Sequence, residues 1–92
     1  MPDIRHEPDA HRFATEVDGG AAELVYERDG DVLALVHTFV PRASRGEDVG
    51  TRLVEFALGY LRDNGMRMRP LCPFVKAYVE SHPDAQDLVA GS

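Results

Sequence analysis

The run Arg45-Gly46-Glu47-Asp48-Val49-Gly50-Thr51 combines the residue types that hold a phosphate. It has arginine charge, glycines that leave the backbone bare, and an apolar-periodic stretch that starts a helix. The first four N–H groups of a helix have no partner inside it, and the helix dipole adds partial positive charge there. Oriented donors beside an arginine form a seat for a small anion. Arg42 and Arg52 flank the loop and add to its charge. The plainer reading is an ordinary strand-to-helix turn with capping residues, and the local sequence leaves the two equally open.

Three more side chains carry chemistry. Cys72 is the sole thiol, placed where a strand ends and Pro73 opens a helix. A helix start favours the thiolate, which is the nucleophile; alternatively, Cys72 is a small buried hydrophobe. His37 falls on the strand face of Leu33, Leu35 and Phe39, as a structural histidine or as a general base or substrate contact. Tyr78 shares a helix face with Phe74, Ala77 and Ser81, either as a core tyrosine or as a proton donor with an ordinary pKa near 10. His82, before Pro83, reads as a turn residue.

A chain of 92 residues points to one domain with little room for a second lobe. The net charge of −6 is uneven: residues 1–31 hold nine acids against three arginines, and residues 32–92 hold seven acids against seven bases. Nonspecific nucleic-acid binding requires a positive surplus, so it is discounted. The longest apolar run, Val32–Val36, is too short to span a membrane, and the first residues lack a secretory pattern, so a cytoplasmic location is expected. One cysteine excludes an internal disulfide and a thiolate-rich zinc site, and no metal is expected. Oligomeric state is not legible.

The elements that must position these residues follow from period and punctuation. Residues 1–10 read as a loose arm or an edge lead-in. His11–Val17 and Ala22–Tyr26 alternate as strands, with Asp29-Gly30 as a hairpin signal before Val32–Val40. That last strand is apolar on both faces and is expected to be covered on both. Val49, Leu53, Phe56, Ala57, Tyr60 and Leu61 recur at helical spacing, and Asn64-Gly65 ends the helix. Met66–Leu71 is a short strand whose Pro70 marks an edge or a bend near its end, Phe74–Ser81 is a second helix, and Pro83–Val89 a last short helix. The fold class is α/β, a mostly antiparallel sheet in the order β-β-β-α-β-α-α.

Val40-Pro41, then Arg45-Gly46 and Val49-Gly50 before a long helix, resemble the acetyl-CoA loop of the GNAT acetyltransferase superfamily. His37-Thr38, Pro70-Leu71-Cys72-Pro73-Phe74-Val75 and Tyr78-Val79-Glu80-Ser81-His82-Pro83 narrow the resemblance to the short GNAT-like proteins that lack the usual N-terminal helices. It covers about Ala10 to Val89. The resemblance implies a compact GNAT-like fold, an acetyl-CoA ligand and an unidentified amine acceptor. It implies that Arg45, Gly46, Asp48, Val49, Gly50 and Thr51 cradle the pyrophosphate, with Gly46 and Gly50 keeping the approach unobstructed. The strand end Phe39-Val40 pairs with the pantetheine amides, in a splay between strands 32–40 and 66–71. A backbone N–H near Val40 polarises the thioester, and Tyr78 or Cys72 serves its sulfur side. Cys72 either accepts the acetyl group or lines the pocket.

Two positions depart from the family pattern. Asp48 stands where the loop has a glycine, and Phe39 where the short proteins often have glutamate. The Asp48 carboxylate is expected to weaken CoA binding while stabilising the free protein through the helix dipole and a cap. Phe39 raises the alternative of a CoA-binding module without efficient turnover. A purely structural interaction domain, with no CoA in the loop, ranks last.

Overall fold

A computed structural model describes residues 3–91. Strands β1 (Arg5–Glu7), β2 (Arg12–Val17), β3 (Gly20–Asp29), β4 (Val32–Phe39) and β5 (Arg67–Pro70) form one sheet in sequence order. The first four are antiparallel, and β5 joins β4 in parallel after the crossover through helix α1 (Val49–Asp63). Helix α2 (Pro73–Ser81) follows β5, and a 3-10 turn, Pro83–Leu88, closes the described chain where a last helix is expected. The N-terminal lead-in is an edge strand, β1; Met1 and Pro2 lie outside the described residues.

The turns follow backbone chemistry. Gly30, in the Asp29-Gly30 hairpin, and Gly65, past the end of α1, both take positive φ, +63° and +64°. Pro70 ends β5, which has β4 as its strand neighbour on one side and a single bridge from Met68 to Val89 on the other.

The core lies between one face of the sheet and the two helices. Phe13, Leu24, Tyr26, Leu33, Leu35 and Met68 meet Leu53, Val54, Ala57, Leu58 and Leu61 of α1 and Val75 and Val79 of α2. Phe56, expected on the buried stripe, is instead a half-exposed flank whose ring edge touches Phe13 at 5.8 Å between centroids. Val54 and Leu58 take the buried places because the stripe must also face α2 and the C-terminal turn.

β4 departs from the expectation in two ways. It is covered on one face only: Leu33 and Leu35 are buried, whereas Val32, Ala34 and Val36 are half-buried on a face that neither helix covers. It also carries a β-bulge. Val25 pairs with His37 but the next residue, Tyr26, pairs with Leu35, so Val36 is the extra residue. One extra residue reverses every side chain beyond it. Thr38 therefore takes the core face opposite Leu24, and His37 and Phe39 turn to the open face, away from Leu33 and Leu35.

Candidate functional site

The pairing of β4 with β5 stops at Leu35 and Pro70. The amides of Leu71 and Cys72 both donate to the Leu35 carbonyl, at 3.1 and 2.8 Å, and the chain then turns away into α2. β4 continues through Thr38 and Phe39 with no strand beside it on that edge among the described residues. The expected splay is therefore present, and it opens into a cleft of about 350 Å³. Phe39, Val40, Arg45, Gly46, Asp48, Val49, Gly50 and Thr51, read from the sequence as one binding group, all line this cleft. Arg42 and Arg52 do not.

The loop is held by its own bonds. The Arg45 Nε donates to the Val40 carbonyl at 3.0 Å, and the Ser44 hydroxyl donates to the Asp18 carbonyl at 2.9 Å. Gly46 takes φ +91°, with open space where a Cβ would stand. The first backbone bond of α1 runs from the Arg52 amide to the Asp48 carbonyl. The amides of Val49, Gly50 and Thr51 thus stand in the unpaired first turn, and all three residues line the cleft. Asp48 precedes them in the left-handed conformation, φ +61° and ψ +21°, and its side chain makes no capping bond. The expected cap is absent because the left-handed turn is not the extended geometry a capping carboxylate uses.

Gly50 has a further role. A Cβ there would stand 3.0 Å from Cζ of Phe74, so the missing side chain makes room for that ring. Phe74, at the start of α2, lines the cleft and remains 42% exposed.

At the inner end of the splay, the Thr38 hydroxyl and the Cys72 sulfur are 3.4 Å apart. Cys72 is only 5% exposed and lies behind Thr38, which lines the cleft. Burial pushes the Cys72 thiol up, but the Thr38 hydroxyl and the amides of Val75, Phe74 and Thr38 outweigh it and hold the thiol below its usual value. Thr38→Val keeps the shape and removes the hydroxyl, so the pH midpoint for alkylation of Cys72 should move upward. An unmoved midpoint in iodoacetamide kinetics against pH would show that Thr38 does not act on the sulfur.

Two sequence candidates fall elsewhere. His37 is exposed on the open sheet face, turned there by the bulge. The Tyr78 hydroxyl donates to Glu55 Oε2 at 3.2 Å on the outer side of the α1–α2 contact, and its ring stacks on His82 at 3.8 Å. Burial, then Glu55, raises the Tyr78 phenol above its ordinary value. Thr38, Ser44 and Phe74 are cleft residues that the loop motif does not announce.

The two-layer architecture, with a splayed β4–β5 pair over a bare helix start, is that of an acetyltransferase fold. It superposes with a TM-score of 0.72 on the solution structure of a GCN5-like putative N-acetyltransferase from Staphylococcus aureus, covering 98% of this chain and 89% of that one at 23% identity. The model of the GCN5-related N-acetyl-transferase family matches residues 12–88, and the chain belongs to that family. Protein NATD1 from Mus musculus is 28% identical over 88 residues, covering 92% of this chain and 80% of the relative. Protein NATD1 from Homo sapiens is likewise 28% identical, with 92% and 78% covered.

Proposed function

We propose that this protein is an acetyl-CoA-dependent N-acetyltransferase that acts on an amine. One observation carries the reading: the parted β4 and β5 open beside a helix start whose first-turn amides are free and flanked by Gly46 and Arg45. These residues fit a pyrophosphate, and the bare edge of Phe39-Val40 fits the amides of a pantetheine arm. When bound, acetyl-CoA supplies an acetyl group activated as a thioester. The chain's part is to hold the anionic end at Gly46–Thr51, to align the arm along β4, and to keep the Cys72 thiol against the Thr38 hydroxyl at the inner end.

A second reading, a CoA-binding module without efficient turnover, is favoured by Tyr78. Its hydroxyl is engaged by Glu55 outside the cleft, and its raised pKa makes it a weaker proton donor. Incubation with acetyl-CoA and a panel of primary amines, read by mass spectrometry, separates the two. Gain of one acetyl group on an amine, dependent on the protein, is the expected result; tight CoA binding with no product would establish the second reading instead.

A further inference from the structure

The cleft loop is tied to a turn that the proposed reaction does not touch. Residues 45–48 are exposed and hang between two buried anchors, Pro41 and Ser44 before them and Val49 and Gly50 after them. The second anchor packs into the helix layer, where Gly50 meets Phe74. The first packs against the turn between β2 and β3, which the pairing of Val17 with Gly20 closes. There the hydroxyl of Ser44, a residue only 1% exposed, donates to the Asp18 carbonyl at 2.9 Å. Beside that bond, a Cβ on Gly19 would stand 3.1 Å from Cβ of Pro41 and 3.2 Å from Cβ of Ala43. One polar and one steric contact thus join the same turn to the same segment.

The two glycines of this turn differ in what they touch. Gly19 takes φ +92° against the loop, whereas Gly20 takes φ +131° with nothing within 4 Å of the place of its Cβ. Both conformations disfavour a side chain, but only Gly19 meets Pro41 and Ala43. Gly19 does not line the cleft, so an effect of this residue on a ligand there must pass through the loop.

We infer that Gly19 is a positioning residue for the ligand held in the cleft loop. Its bare Cα lets Pro41 and Ala43 seat against the turn, and the bond from Ser44 to Asp18 fixes that seat. From there the loop is built outward: the Arg45 amide donates to the Arg42 carbonyl at 3.3 Å, and the Glu47 amide to the Ser44 carbonyl at 3.4 Å. Arg45 and Gly46 are so presented to the cleft in a set place. A ligand that meets a loop already in place does not bear the cost of ordering it. That this ligand is CoA rests on the acetyltransferase reading; the seating of the loop does not.

The test compares Gly19→Ala with Gly20→Ala in the 92-residue chain. Both place a methyl group at a positive φ, so both should lower the melting temperature. Only Gly19→Ala should weaken CoA binding, by about two- to thirtyfold in a calorimetric titration. Only Gly19→Ala should also quicken amide hydrogen exchange at Ser44, Arg45 and Glu47 in the ligand-free protein. Ser44→Ala removes the hydroxyl without adding bulk and should act in the same direction; it carries the test if Gly19→Ala does not fold. Equal effects of the two glycine variants, quickened exchange with parental CoA affinity, or a Ser44→Ala chain that matches the parent in both would overturn the inference. Exchange in the free protein keeps the two claims apart. Quickened exchange in a chain whose parent ignores CoA would retain the seating of the loop and remove CoA as its ligand. Parental exchange, with CoA bound as tightly by Gly19→Ala as by the parent, would do the reverse.

Discussion

Phe13→Ala should lower the melting temperature by roughly 15–30 °C. Phe13 is fully buried at the junction of the edge strand, the sheet and α1. Its ring stacks on His6 at 4.6 Å between centroids and meets Tyr26, Tyr60 and Phe56 at 5.4, 5.6 and 5.8 Å. Removing a buried phenylalanine costs about 3–5 kcal/mol, because the cavity left behind collapses only in part. A chain of this length has a total stability of roughly 5–14 kcal/mol, so the loss is a large share of it. β1 should loosen first, since His6 loses its stacking partner and keeps its hydrogen bond to the Tyr26 hydroxyl. Thermal melts by circular dichroism measure the effect. A drop of only a few degrees would mean that the aromatic cluster repacks without Phe13.

The second large effect is on ligand binding. CoA at a hundredfold excess over its dissociation constant should stabilise the chain by about 2.7 kcal/mol, a rise of roughly 10–20 °C in melting temperature. Asp48→Gly should bind CoA several-fold tighter, because a carboxylate leaves the lining of the proposed phosphate seat. Its effect on the free protein differs from the sequence-based expectation. Loss of an acid at a helix start removes roughly 0.3–1 kcal/mol of dipole stabilisation. Relief of a left-handed non-glycine residue returns about 1 kcal/mol, and no capping bond is lost. The ligand-free variant should therefore melt at or slightly above the parent temperature. A clearly lower melt would mean that Asp48 caps α1 after all, and unchanged CoA affinity would place the phosphates away from it.

The outline of the fold is legible because local rules settle it. Asp29-Gly30 and Asn64-Gly65 need positive φ, and the apolar spacing from Val49 to Leu61 has the period of a helix. The cleft loop is legible only together with its flanking motifs, since glycines and arginine at a helix start suit an ordinary capped turn equally well. What the sequence hides is relational. Nothing in Leu33-Ala34-Leu35-Val36-His37-Thr38 marks Val36 as the extra residue, because a bulge is set by the register against β3. That one residue sends His37 and Phe39 to the open face and brings Thr38 to Cys72. A strand apolar on both faces reads as doubly covered, yet both helices of this chain pack on one side. Tyr78 is similar: α2 turns Val75 and Val79 to the core and leaves Phe74, Ala77 and Ser81, which share the face expected for Tyr78, exposed, and the contact of Phe74 with Gly50 and that of Tyr78 with Glu55 set how α2 sits on α1. Both contacts join residues more than twenty positions apart.

The most direct measurement for the central claim is an amide chemical-shift map of the chain titrated with CoA. Gly46, Asp48, Val49, Gly50 and Thr51 should shift most, with Thr38–Val40 along the splay. Met66, Arg67 and Leu88, at the far end of α1, should stay unmoved. Loop amides that remain still at millimolar CoA, or shifts centred on that far end, would contradict it.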